Sequence, residues 1–115
     1  MFLEKLEHIK IEEKKYPLFC SINVLAEIQE KYETLDNWIN IIAAENVNLK
    51  DLRWALKMIV NEGISVTNSE SEIKLKAITT LEAGRMITSL GISKTAELIM
   101  ENFIKNIRGN DEKNL

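Results

Sequence analysis

The 115 residues predict an α+β domain, mainly helical, in which an N-terminal β-hairpin precedes about five short amphipathic helices. Three observations carry that expectation. Apolar and charged residues alternate before residue 13, close to the period of a half-buried strand. From Val24 onward apolar residues recur at helical spacing. The later segments also open on a Ser, Thr or Asn whose side chain can cap free N–H groups.

Leu6, Ile9 and Ile11 interleave with Glu7, Lys10 and Glu12 as a first strand, and Tyr16-Pro17-Leu18-Phe19-Cys20 reads as a second. A tight turn at Glu13-Lys14 sets Ile11 opposite Tyr16 and Ile9 opposite Leu18, making one side of the hairpin apolar. Pro17, without an N–H, has to occupy an edge or an unpaired position. Asn23 or Ser21 caps the first helix, with Val24, Leu25, Ile28 and Tyr32 on its apolar face. Thr34 caps a second, carrying Leu35, Trp38, Ile39 and Ile42. Asn48 opens a third that runs from Leu49 to about Asn61, stops near Gly63, and buries the stripe Leu49, Leu52, Leu56, Ile59 and Val60. The three residues Glu45-Asn46-Val47 make the second and third helices antiparallel neighbours.

Residues 64–78 break the pattern. Ile64 and Val66, then Ile73 and Leu75, alternate around Asn68-Ser69-Glu70-Ser71, which reads as a second hairpin or a long mobile loop. Thr79 with Glu82 forms a capping box for a fourth helix ending at Leu90-Gly91. Ser93 opens a fifth, with Ala96, Ile99, Met100, Phe103, Ile104 and Ile107 as its apolar stripe before Gly109. Residues 1–109 are therefore expected to form one domain, and 110–115 a polar tail that frays.

The totals narrow the function. No apolar run reaches the ~18 residues that a membrane span requires, and the alternating start Phe2-Leu3-Glu4-Lys5-Leu6-Glu7 lacks the features of an export signal. A net charge of −3 gives no general attraction to nucleic acid or anionic lipid. The single Cys20 forms no intramolecular disulfide, as suits a reducing cytosol. Ile, Lys and Asn make up about a third of the chain, and their A+T-rich codons point to an A+T-rich bacterium or its virus.

Catalytic patterns are not found. His8, the only histidine, falls on the face opposite Ile9 and Ile11, whereas Cys20 lies on the apolar face, so the hairpin splits this pair. One His and one Cys do not make a zinc site. Glu27, Glu30, Glu33 and Asp36 are spaced as solvated helix decoration, and no phosphate-binding glycine loop is present. The expectation is a protein that is not an enzyme and carries no cofactor or metal.

Two features point to binding. Leu90-Gly91-Ile92-Ser93-Lys94-Thr95 resembles the turn of a helix-turn-helix DNA reader, but Ile87 stands where such motifs have a small residue, and Glu97 where they bury a branched apolar one. On the third helix Trp54 and Met58 lie nearly opposite the buried stripe. Either the hairpin or the 64–78 segment covers that second face, or Trp54 and Met58 form a patch that docks a protein partner.

A hairpin ending in Lys15-Tyr16-Pro17-Leu18, followed by Ile22-Asn23-Val24-Leu25-Ala26-Glu27-Ile28-Gln29-Glu30-Lys31, resembles the start of the tail assembly chaperones of long-tailed bacteriophages and prophages. The likeness continues through Leu49-Lys50-Asp51-Leu52-Arg53-Trp54-Ala55-Leu56, Asn61-Glu62-Gly63-Ile64 and Gly84-Arg85-Met86-Ile87-Thr88. It covers most of the chain and rests on the order and spacing of these pieces. The sequence departs from it at Glu13-Lys14, where relatives often have a glycine.

The resemblance implies a chaperone in the cytoplasm of a bacterial host that binds the tape measure protein. It would hold that long helical chain soluble until the tail tube polymerises, and be absent from the mature virion. It adds as candidate partners a longer frameshifted form of the chain, the tail tube protein and a second copy, and it assigns no residue a binding role. Glu112-Lys113-Asn114 can be encoded GAA AAA AAC, a slippery run suited to such a frameshift. The alternatives are a small helix-turn-helix-like DNA-binding regulator and a structural tail subunit retained in the particle.

Overall fold

The early alternation closes as an antiparallel hairpin, β1 (Glu7–Ile11) and β2 (Lys14–Leu18). Five helices follow: α1 (Ile22–Tyr32), α2 (Leu35–Ile42), α3 (Leu49–Glu70), α4 (Thr80–Leu90) and α5 (Ile92–Lys113). The computed structural model describes residues 6–72 and 74–113, with residues 108–113 described by backbone alone. The architecture is the α+β, mainly helical one that the sequence predicts.

The hairpin register differs from expectation by two residues. Ile9 pairs with Tyr16 and Ile11 with Lys14, so the turn is Glu12-Glu13 and Leu18 faces Glu7. Glu12 takes φ 56°, while Glu13 keeps negative φ, the φ pattern of a type II′ turn. Pro17 explains the choice. The pair flanking a two-residue turn exchanges hydrogen bonds and the pairs then alternate, so Pro17 opposite His8 occupies a position that needs no N–H. The expected register would have put Pro17 at a bonding position. Because the offset is even, the faces are kept: Ile9 and Leu18 are buried and His8 is exposed.

Side-chain caps set three helix starts. Ser21 Oγ accepts the Val24 N–H at the head of α1, Thr34 Oγ1 accepts the Asn37 N–H for α2, and Asn48 Oδ1 accepts from Lys50 and Asp51 for α3. Thr79 and Glu82 complete their capping box on α4. The Thr79 N–H bond it accepts holds the Glu82 carboxyl below its usual range.

Of the 64–78 stretch expected as a second hairpin or a long loop, residues 64–70 are helix and the described part of 71–78 is a loop without a strand. α3 continues through Gly63 to Glu70, burying Ile64. Gly63 serves close approach: a Cβ there would lie 2.7 Å from the Pro17 carbonyl oxygen. Residues 74–79 then return beside α3, held by two asparagines seven positions apart. Asn68 bonds both the N–H and the carbonyl of Leu75, at 2.7 and 2.9 Å. Asn61 does the same for Ile78, at 2.8 and 3.0 Å. These clips satisfy backbone groups that a strand partner would otherwise pair. Ile73 lies outside the described residues.

Gly91, at φ 98°, makes the break between α4 and α5. α5 starts at Ile92 rather than being opened by Ser93, and Thr95 turns inward, its hydroxyl donating to the Gly91 carbonyl at 2.7 Å. The backbone stays helical through Gly109 to Lys113, past the expected stop, and residues 114–115 of the expected tail lie outside the described ones.

The core gathers Ile28, Ile42, Leu52, Leu56, Ile59 and Ile99 around Trp38, which is fully buried and meets Phe103 edge-on at 5.4 Å. One buried polar residue joins the chain ends. Asn102 Oδ1 accepts the Cys20 N–H at 2.8 Å and Nδ2 donates to Glu7 Oε1 at 2.8 Å. β2 also docks on α3, the Phe19 N–H donating to the Ile59 carbonyl at 3.1 Å.

A candidate polypeptide-docking groove

Trp54 and Met58 sit on the side of α3 that faces α1, so neither the hairpin nor the 64–78 segment is their cover. The Trp54 ring packs edge-on against Tyr32 at 5.7 Å, with Lys31 Nζ 4.7 Å from its centroid. Tyr32 donates to Asp51 Oδ1 at 2.6 Å. Burial, then that bond and the Asp51 charge, push the Tyr32 hydroxyl well above its ordinary pKa. Trp54 is therefore half-buried and, with Tyr32, packed against the main core. Met58 lies in a shallow depression of about 590 Å³ with Val24 and Ala26, walled by Glu27, Glu30 and Glu62. The Trp54 and Met58 side chains are both half-buried and packed against the core, one helical turn apart on α3.

A different concavity is more apolar. Leu49, Lys50 and Arg53 from the first turns of α3 face Gly84, Ile87 and Thr88 of α4, and Gly91 with Ile92 closes one end. The groove encloses about 520 Å³. Its lips are greasy: Leu49 is 55% exposed and Ile92 46% exposed. Leu81, 67% exposed, precedes Gly84 by three residues on α4 and prolongs the strip.

Local causes produce this opening. Leu49 belongs to the expected buried stripe, but it is the first helical residue and stays more than half exposed at the groove lip. Ile104, from the expected stripe of α5, is likewise exposed. Gly84 supplies no side chain to fill the floor, and a Cβ there would only touch Arg53 Cδ at 3.5 Å. Neither Lys50 nor Arg53 has a carboxylate partner among the described residues. An unpaired guanidinium, half-buried beside apolar surface, favours an anionic neighbour.

The remaining candidates are quiet. His8 is exposed on β1 and Cys20 buried, as the hairpin faces require. Burial pushes the Cys20 thiol up to about 12, which removes its nucleophilic form near neutrality. Glu97, which helix-turn-helix packing would bury, is exposed and 3.8 Å from Lys94. Among the described residues no group of three or more His, Cys, Asp or Glu could hold a metal ion, and no helix is long and apolar enough to cross a membrane.

No protein-family model, curated protein or solved structure matches this chain. The groove was missed in the sequence because its parts lie about 35 residues apart and include no unusual residue type. The one available signal was Gly84, a helix-disfavouring residue in the middle of a well-capped helix.

Proposed function

We propose that the chain is a tail assembly chaperone of a long-tailed phage or prophage. It binds the tape measure protein in the host cytoplasm, keeps it soluble until the tail tube polymerises, and leaves before the virion is complete. The observation that carries this reading is the open apolar groove between α3 and α4. Stretches 49–56 and 84–88, two of those on which the resemblance rests, supply most of its walls. A groove of this kind suits an amphipathic helix, the form in which a long helical chain offers its apolar surface. Binding of that kind is stoichiometric and requires no catalytic group, cofactor or metal.

The longer frameshifted form and the tail tube protein enter as further partners, the first carrying this domain at its N-terminus. Self-association is compatible with the exposed Leu81 and Ile104. The DNA-binding alternative draws little from α5, whose exposed Glu97 and Glu101 repel a phosphate backbone.

Co-expression with the tape measure protein tests the reading. Most of that protein should move from the pellet to the supernatant and co-purify with the chain, and purified particles should contain none of it. An unchanged pellet would falsify the chaperone role. Detection of the chain in purified particles would favour a structural subunit, and salt-sensitive binding to duplex DNA a regulator.

A further inference from the structure

The rim of the groove carries positive charge on a protein whose net charge is −3. Lys50 and Arg53 stand along the α3 wall without carboxylate partners among the described residues. Asp51, their neighbour, is turned away and occupied by the Tyr32 hydroxyl. The start of α3 and the start of α5 both border the groove, adding the positive ends of two helix dipoles. Asn48 already fills the first of these ends. Between the charges, Ile87 and Gly84 form an apolar floor, and Leu81, Gly84 and Thr88 run along one side of α4 at helical spacing. That strip is about 10 Å long, two turns of a docked helix.

We propose that this groove receives one amphipathic helix of a partner polypeptide, whose apolar stripe is flanked by Asp or Glu side chains that pair with Lys50 and Arg53. The inference rests on the chaperone reading and deepens it, because it names the class of tape measure segment that would be held. Gly84 is the point of closest approach: the missing side chain lets the incoming helix sit against the α4 backbone. Arg53 lies beside it, so an acidic residue one turn from the apolar anchor reaches a guanidinium in a poorly solvated place. Apolar contact supplies affinity, and the charges select which helices enter.

Two synthetic helical peptides of about 20 residues test this. They share one leucine stripe and differ only in carrying Glu or Lys on its flanks. Fluorescence anisotropy should find the Glu-flanked peptide bound at least about 10-fold more tightly at low salt, the advantage shrinking as salt rises. The double variant Lys50→Glu with Arg53→Glu should reverse the preference. Gly84→Leu, which favours the helix while filling the floor, should weaken both peptides by about 10-fold or more with the circular dichroism and melting of the protein preserved.

Equal affinity for the two peptides, or indifference to Gly84→Leu, overturns the proposal. So does a concentration-dependent dimer that Leu49→Asp dissolves, which would put a second copy in the groove, or displacement of the peptide by duplex DNA. If the acidic peptide binds as stated while the tape measure protein stays insoluble on co-expression, the chaperone reading fails and the groove assignment stands. If solubilisation succeeds and both peptides fail, the chaperone works through another surface and the groove assignment falls.

Discussion

The two ends of α3 meet their surroundings differently. Around Gly63 the helix touches β2 backbone to backbone, Ile64 is buried beside it, and Asn61 and Asn68 bind the returning chain. Around Leu49 and Arg53 the same helix leaves an apolar channel against α4, with cations along it that no carboxylate among the described residues neutralises. At the first end Ile64 is covered and the returning chain is held by side-chain hydrogen bonds. The other keeps apolar surface in water, which costs about 25 cal/mol per Å² and is expected where a partner removes it. Stability and binding should therefore separate along one helix.

Substitutions can break that separation or sharpen it. Trp38→Ala, emptying a fully buried core site that packs on Phe103, should cost about 4 kcal/mol in urea unfolding. Gly63→Ala should cost about 3 kcal/mol despite the better helix propensity of alanine, because its methyl meets the Pro17 carbonyl, which is backbone and cannot step aside. Asn102→Leu strands the buried Cys20 N–H and should lose about 2 kcal/mol, with faster hydrogen exchange at Cys20 as its local sign.

Thr79→Ala removes one half of the α4 capping box and should cost about 1 kcal/mol, read as a small drop in melting temperature. At the open end, Leu49→Asp should change unfolding by no more than about 0.5 kcal/mol and yet abolish solubilisation of the tape measure protein. A Leu49→Asp protein that unfolds like Gly63→Ala would erase the distinction between the two ends.

Much of this was legible in the chain itself. The caps at Ser21, Thr34, Asn48 and Thr79 act within three residues of their targets, and such short-range chemistry survives any tertiary context. Pro17 also held the correct hairpin register, since its missing N–H suits the observed turn at Glu12-Glu13 and not the expected one at Glu13-Lys14. Gly63, by contrast, misled. A glycine after an apolar run is a common helix stop, and nothing nearby in sequence reveals that a strand 46 residues earlier needs the space.

The binding face was less legible. The wheel sets Trp54 and Met58 nearly opposite the stripe of α3, but a wheel does not say what lies across from them. α1 supplies Tyr32 and Lys31 over Trp54, and Val24 and Ala26 beside Met58. Leu49 reads as core and Ile92 as turn in the sequence, and only the fold sets them with Gly84 around one channel.

Sequence by itself determined the hairpin, the five helices, most of their starts and most of the residues that turn inward, because period and caps are properties of adjacent residues. Only the tertiary structure decided that α3 runs on past Gly63, that Trp54 is clothed, and that Leu49 and Ile92 are not. Those outcomes depend on which surfaces arrive opposite one another when distant segments pack.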